Sequence, residues 1–100
     1  MLPKNRVSTH PGEILKKEFL EPMGIGIQEA AEALGIHRVE LSMILHGRRA
    51  MSPRMCAMVA KAFGTSVEFW TGLQADHDAT KYLQSKEGKS ELASIKPVVQ

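Results

Sequence analysis

The sequence has little of several features that would assign a protein to a class at once. Cys56 is the single cysteine, which excludes an internal disulfide, and its apolar helical surroundings predict a small buried side chain. Apolar runs extend over only a few residues, so we expect neither a signal peptide nor a membrane-spanning helix. These absences favour the reducing environment of the cytoplasm.

Sequence patterns for catalysis are also missing. Nothing in the chain resembles a nucleophile with its base, a phosphate-binding loop or a pair of catalytic carboxylates, so we expect no enzymatic activity and no bound cofactor. Asp76, His77 and Asp78 have the chemistry of metal ligands. Because adjacent helical residues point in different directions and no further ligand cluster accompanies these three, we expect no metal site.

The formal net charge is only +2, but the charged residues are unevenly distributed. Residues 36–61 contain five Lys or Arg side chains and a single acid, Glu40. Residues 66–80 contain three acids, Glu68, Asp76 and Asp78, and no Lys or Arg. A basic middle followed by an acidic segment predicts one surface for phosphate and another for protein.

What the sequence does contain is a pair of short amphipathic helices over residues 27–45, separated at Gly35. Ala31 is small where the two helices are expected to cross, and Gly35 can end the first helix in a left-handed conformation. Apolar residues at Ile36, Leu41 and Ile44 turn the second helix onto the first. This is the spacing of a DNA-binding helix-turn-helix, and also of an ordinary helical hairpin without a nucleic-acid role.

Local signals along the rest of the chain predict five helices around one core and no strand. We expect residues 1–8 to be a flexible N-terminal arm and residues 9–84 to form the helix-turn-helix domain. Residues 85–100 show little periodicity and predict a mobile C-terminal tail. The signals for helix starts and ends outside the pair are His10-Pro11-Gly12-Glu13, Pro22, Gly24, Ser52-Pro53, Gly64 and Thr65-Ser66.

The predicted fifth helix is rich in aromatic residues on one face. Phe69, Trp70 and Leu73 share this face, with His77 nearby. We expect Phe69 to pack in the core beneath the first and fourth helices. An exposed Trp70 would be costly in a monomer, so the face formed by these four residues is predicted to meet a second subunit.

Five sequence segments occur together in an order that resembles one family. They are HPGEIL at 10–15, EFLEPMGI at 18–25, ALGI at 33–36, HGRRAMSP at 46–53 and AFGTSVEFW at 62–70. The likeness covers residues 9–78 and is to the HigA (VapI) family of antitoxins. It implies an all-α, five-helix, lambda-repressor-like domain that dimerises through its fifth helix. It also implies a cytosolic bacterial protein that binds a double-stranded DNA operator, represses its own operon and neutralises a HigB-type toxin, an mRNA-cleaving ribonuclease, by direct contact.

The repressor pattern places candidate base-reading residues at the exposed start of the second helix of the pair. Arg38 can donate two parallel hydrogen bonds to guanine, the alternatives being a phosphate contact or a surface ion pair. Val39 and Met43 can pack against a thymine methyl group. Glu40 can accept from cytosine, repel phosphate or pair with a neighbouring basic side chain. The full base-reading set is His37, Arg38, Val39, Glu40 and Met43.

Candidate phosphate-binding residues surround this helix. Arg48 and Arg49 follow it directly, where we expect the DNA backbone, a solvated basic turn being the alternative. Ser52 begins a helix whose free N–H groups and dipole favour phosphate. The resemblance adds Gln28, one position later than the family's phosphate-binding glutamine. The full phosphate-binding set is Gln28, Ser42, His46, Arg48, Arg49 and Ser52.

Two other functions stay open. One is a stand-alone helix-turn-helix regulator that has no toxin partner. The other is a protein-binding adaptor whose helix-turn-helix no longer reads DNA. Val39, Glu40 and Met43 favour the adaptor, because polar or basic residues are more usual there in the family.

Overall fold

The computed structural model describes residues 2–99, so predictions for Met1 and Gln100 lie outside it, and within that range it is all-helical. Helix α1 covers residues 11–23 without interruption, and its middle part, Leu15–Leu20, is a π-helix. This confirms the predicted fold class, and the described residues form one helix more than the five expected. The remaining helices are α2 (Ile27–Leu34), α3 (Arg38–Leu45), α4 (Pro53–Phe63), α5 (Val67–Gln84) and α6 (Lys86–Ala93).

Helices α2 and α3 form the predicted helix-turn-helix. Gly35 ends α2 with φ of 69°, a left-handed conformation that glycine adopts without steric cost. Ala31 is almost completely buried where α2 and α3 pack, as its small size predicts. Gly26 begins α2 without a side-chain hydrogen bond, so this helix start depends on packing and not on a polar cap.

Helices α1 to α5 together form one hydrophobic core. Cys56 belongs to it, which confirms its prediction as a buried side chain, and burial raises the pKa of its thiol. Every helix from α1 to α5 contributes at least one residue, so the recognition elements share their packing with the rest of the domain. The buried hydrophobic residues are Leu15, Leu20, Ala30, Ala31, Leu34, Leu41, Ile44, Leu45, Met51, Met55, Cys56, Val59, Ala60 and Trp70.

Phe69 and Trp70, near the start of α5, have the opposite roles to those predicted. Trp70 has 0% exposure, packs against Phe19 and donates its Nε1–H to Thr65 Oγ1. Phe69 is 44% exposed and contacts Trp70 edge to face. Adjacent helical residues differ by about 100° in direction, and the position of α1 decides that Trp70 points inward. The prediction of Phe69 in the core is therefore wrong, and so is the placement of Trp70 in a dimer interface.

The N-terminal residues pack along α5, in contrast to the predicted flexible arm. The Ser8 backbone N–H donates to Thr80 Oγ1 at 2.8 Å, and the Ser8 carbonyl accepts from His77 Nδ1 at 2.8 Å. The Lys4 carbonyl accepts from Gln84 Nε2 at 2.7 Å. The arm is thus attached at both Lys4 and Ser8, because its backbone groups find side-chain partners on α5.

Helix α6 contradicts the prediction of an irregular tail after Gln84. Ser85 caps α6 by accepting from the Gly88 N–H at 2.9 Å, and Tyr82 donates its hydroxyl hydrogen to Glu91. Gly88 is buried, and a Cβ there would lie 1.9 Å from the Tyr82 carbonyl oxygen. A cap, a close backbone contact and a polar side-chain pair hold this helix, and none of them produces an apolar periodicity in the sequence.

Candidate nucleic-acid interface

The outer surface of α3 is available for contact along its whole length. His37 precedes α3 as its N-cap residue and is exposed, as is Arg38. Val39 is 71% exposed, and Met43, one turn later, is also exposed. The core needs none of these four side chains, so the predicted base-reading surface lies open to solvent.

Glu40 pairs with a basic side chain of the following turn. Its Oε2 lies 4.0 Å from Arg49 Nη1, and Glu40 is half-buried. Of the interpretations of Glu40 from sequence, pairing with a basic neighbour is the one that the free protein adopts. The pair places Arg49 beside α3 and offsets part of its positive charge.

The turn after α3 is closed by backbone hydrogen bonds and exposes two arginines. Gly47 has φ of 71°, and the Arg48 N–H donates to the Met43 carbonyl at 2.8 Å. Arg48 and Arg49 are exposed. The adjoining Met51 N–H donates to Gln74 Oε1 at 2.7 Å, so α5 holds the turn from behind.

Helix α4 presents its N-terminus beside this turn. Ser52 is its N-cap residue, with Oγ accepting from the Met55 N–H at 3.2 Å, as predicted. The first turn of α4 contains no acid. The positive end of the helix dipole and the arginines of the turn therefore act together on any nearby anion.

His10 and Gly12, at the start of α1, lie against the end of α3. His10 is buried and accepts from the Gly12 N–H at Nδ1, 2.9 Å away, so it caps α1. A Cβ at Gly12 would lie only 1.7 Å from the Ile44 carbonyl oxygen, which shows how closely α1 approaches α3. Both residues lie in the HPGEIL segment, which by its sequence predicts only the start of a helix.

His10 also connects the end of α3 to α5. Its ring contacts His77 edge to face, with centroids 4.9 Å apart, and Gly47 lies against the same ring. Burial lowers the pKa of His10, and the nearby His77 lowers it further. Since Nδ1 accepts a hydrogen bond, the ring is neutral in this arrangement.

A depression between α1 and α3 gathers several polar side chains beside the base-reading surface. Arg38, Ser42 and His46 form one stripe of α3 along its edge. His46 Nδ1–H donates to the Ser42 carbonyl at 2.7 Å, which leaves Nε2 as the ring nitrogen not used in this bond. The volume of the depression is about 340 Å³. Its lining residues are Lys16, Leu20, Glu21, Ile25, Ile27, Arg38, Ser42, Leu45 and His46.

Gln28, one of the predicted phosphate-binding residues, does not line this depression. Ile27 lines the depression, whereas Gln28 is exposed elsewhere on α2 and donates from Nε2 to Glu32 Oε1 at 3.2 Å. Phosphate binding by Gln28 stays a prediction. The structure thus brings Arg38, Ser42 and His46 together and leaves Gln28 apart.

The remaining predicted residues of α5 are divided between packing and polar contacts. Leu73 is half-buried against the core, and His77 is bonded to Ser8. Asp78 accepts from Gln74 Nε2 at 2.9 Å. Residues 2–99 contain no group of three His, Cys, Asp or Glu side chains arranged to hold a metal ion, and no helix among them is long and apolar enough to cross a membrane.

Comparisons with known proteins give a consistent group of relatives. The helix-turn-helix family model HTH_3 matches residues 16–70. YbaQ of Escherichia coli K12, an uncharacterised HTH-type transcriptional regulator, is 37% identical over 95 residues, which are 95% of this chain and 84% of the relative. Antitoxin HigA-1 of Vibrio cholerae serotype O1 is 37% identical over 87 residues, which are 87% of this chain and 80% of the relative.

A solved structure supports the same grouping. Pseudomonas aeruginosa antitoxin HigA, determined with the higBA promoter, superposes with a TM-score of 0.86 and 30% identity. The superposition covers 92% of this chain and 99% of that protein. The family match extends over more than half of the chain, and the relatives are regulators and antitoxins, not enzymes. The chain belongs to the HTH_3 family of Xre-type helix-turn-helix proteins, among relatives that include the HigA antitoxins.

Proposed function

We propose that this protein is a cytoplasmic DNA-binding antitoxin that represses its own operon and neutralises a HigB-type mRNA-cleaving toxin by direct contact. The observation that carries the DNA-binding part is the exposed outer surface of α3, flanked by the arginine turn and the N-terminus of α4. A surface of this shape and charge fits the major groove, which accommodates one α-helix between two phosphate backbones.

Within this proposal, different residues read and hold the DNA. Arg38 lies at the start of α3, where a planar guanidinium can donate to O6 and N7 of guanine. Val39 and Met43 are exposed apolar side chains that can contact thymine methyl groups. Arg48 and Arg49 hold backbone phosphates, which fixes the register without reading sequence.

We further propose that the protein acts as a homodimer through α5. Phe69 is an exposed apolar side chain near the start of this helix, and half-buried Leu73, one turn later, lies on the same face. A two-fold dimer of this kind would place its two recognition helices about 34 Å apart, one turn of DNA.

The proposed toxin site lies away from the recognition helix. Residues 66–80 contain acids and no Lys or Arg, and Glu68 is exposed on α5, about 100° around the helix from Phe69. Such a surface complements a basic protein, as mRNA-cleaving toxins must be to bind their substrate. The likeness to antitoxin HigA-1 supports the antitoxin role itself.

A stand-alone regulator is the second candidate, because YbaQ is described only as a transcriptional regulator. Co-expression of the protein with the product of each neighbouring reading frame, followed by affinity purification, separates the two. A co-purified small basic ribonuclease supports the antitoxin. Binding to the DNA upstream of its own gene without any co-purified toxin supports the stand-alone regulator. Failure to bind any duplex contradicts both and leaves the adaptor.

A further inference from the structure

Lys16 of α1 lines the depression beside the base-reading surface of α3. It follows Gly12 by four residues, so the two share one face of α1, and this face is the one that meets the end of α3. Lys16 is half-buried and lines the depression with Arg38, Ser42 and His46. Its neighbour on the chain, Lys17, lines a second depression together with Lys16 and His46, but it pairs with Glu13 at 3.1 Å, which offsets its charge.

Lys16 forms no ion pair within the described residues, and basic side chains outnumber acidic ones around it. Within residues 2–99 the ion pairs are Lys17 with Glu13 and Arg49 with Glu40, and Lys16 belongs to neither. The depression contains two permanent cations, Lys16 and Arg38, against one acid, Glu21. The Nδ1 of His46 is occupied by a backbone carbonyl, so Nε2 is the ring nitrogen left for an outside partner.

The position of this depression relative to the base-reading stripe indicates its ligand. At about 100° per residue, Val39 and Met43 point outward between two flanks of α3. One flank carries Glu40 with its partner Arg49, and the other carries Arg38, Ser42 and His46. A helix about 10 Å across, placed in a major groove about 12 Å wide, has a phosphate backbone on each flank.

We infer that Lys16 and His46 form a second site for a backbone phosphate of duplex DNA, on the flank of α3 opposite to Arg49. This inference rests on the proposed DNA binding and adds a contact from outside the helix-turn-helix. The Lys16 ammonium group supplies the positive charge that attracts the phosphate, and the imidazole ring of His46 forms the other side of the site. The contact is independent of base sequence, because it involves only phosphate.

A salt titration of the full-length protein on a random 30-bp duplex tests the inference. The variant Lys16→Gln should lower the slope of log affinity against log salt by about 0.9, the value for one phosphate contact. At 0.1 M salt this corresponds to about an eightfold loss of affinity, because ten to the power 0.9 is about eight. Lys17→Gln is the matched control and should leave the slope unchanged, while Lys16→Arg should retain it.

The outcomes separate this inference from the proposed function. If the wild-type protein binds no duplex at low salt, the proposed DNA binding fails. If the wild type binds and Lys16→Gln keeps the full slope, the Lys16 site is wrong. Equal losses for Lys16→Gln and Lys17→Gln also overturn it, because they indicate a diffuse effect of net charge.

A second measurement uses the wild-type protein and does not depend on how a variant folds. Amine acetylation followed by mass spectrometry should show Lys16 protected in the presence of duplex DNA, with Lys17 still reactive. Inorganic phosphate at the same phosphate concentration should not protect Lys16, since the site is built for a phosphate held by the bound duplex. Unchanged reactivity of Lys16 with DNA, or equal protection by inorganic phosphate, contradicts the inference.

Discussion

Replacing Gly12 with alanine tests how α1 positions the end of the recognition helix. The new Cβ would lie 1.7 Å from the Ile44 carbonyl oxygen, whereas real Cβ contacts do not fall below 3.0 Å. The backbones of α1 and α3 must therefore separate by at least 1.3 Å, the difference of these two distances. Overpacking of this kind costs about 1–3 kcal/mol of the free energy of unfolding. Since Ile44 is followed by the arginine turn, we also expect weaker DNA binding.

The assay is chemical denaturation of Gly12→Ala, with Gly72→Ala as the matched control. Gly72 lies inside α5 with open space around it, so alanine there should stabilise the helix by about 0.5–1 kcal/mol. The two substitutions add the same methyl group and should have opposite signs. DNA binding is then compared at a temperature where both variants are folded. A Gly12→Ala protein as stable as the wild type would refute the close contact between α1 and α3.

The remaining predictions concern α5 and His10. Trp70→Ala should lower the free energy of unfolding by about 3–5 kcal/mol, as removal of a buried tryptophan does, whereas Phe69→Ser should leave stability nearly unchanged and shift sedimentation towards monomer. A monomeric wild type, or a Phe69→Ser dimer, would remove α5 as the interface. The pKa of His10 is lowered in the folded state from its ordinary 6.5, so below pH 6.5 the unfolded chain binds more protons and stability should fall as pH decreases towards the folded-state pKa. His10→Asn keeps a capping side chain but cannot titrate there, and denaturation at pH 7.5 and 5 should show a smaller loss for it than for the wild type.

The helix ends were predictable from sequence where local chemistry decides them. Gly35 ends α2, and Ser52 and Ser66 cap α4 and α5, because each of these residues acts on backbone groups within a few positions of itself. The exposed face of α3 was predictable for the same reason, since the helical period separates its inner from its outer residues.

Features that depend on distant partners were not predictable in this way. Trp70 and Phe69 are neighbours on one helix, and packing against residues distant in sequence, Phe19 of α1 among them, decides which of the two is buried. Gly12 has its role because of a carbonyl group more than thirty residues away. The N-terminal arm is held by side chains of α5, Thr80 among them, and its own composition gives no sign of this.

The central claim is that Arg38 contacts bases whereas Arg48 contacts backbone phosphates. One salt titration tests this claim most directly. The wild type, Arg38→Ala and Arg48→Ala are compared on the duplex upstream of the gene and on a scrambled duplex. Arg38→Ala should cost about 1–3 kcal/mol on the upstream duplex and much less on the scrambled one. Arg48→Ala should weaken both alike and reduce the salt slope by about one. Equal weakening of both duplexes by Arg38→Ala would contradict base reading by Arg38, and no effect of either substitution would contradict DNA recognition by α3.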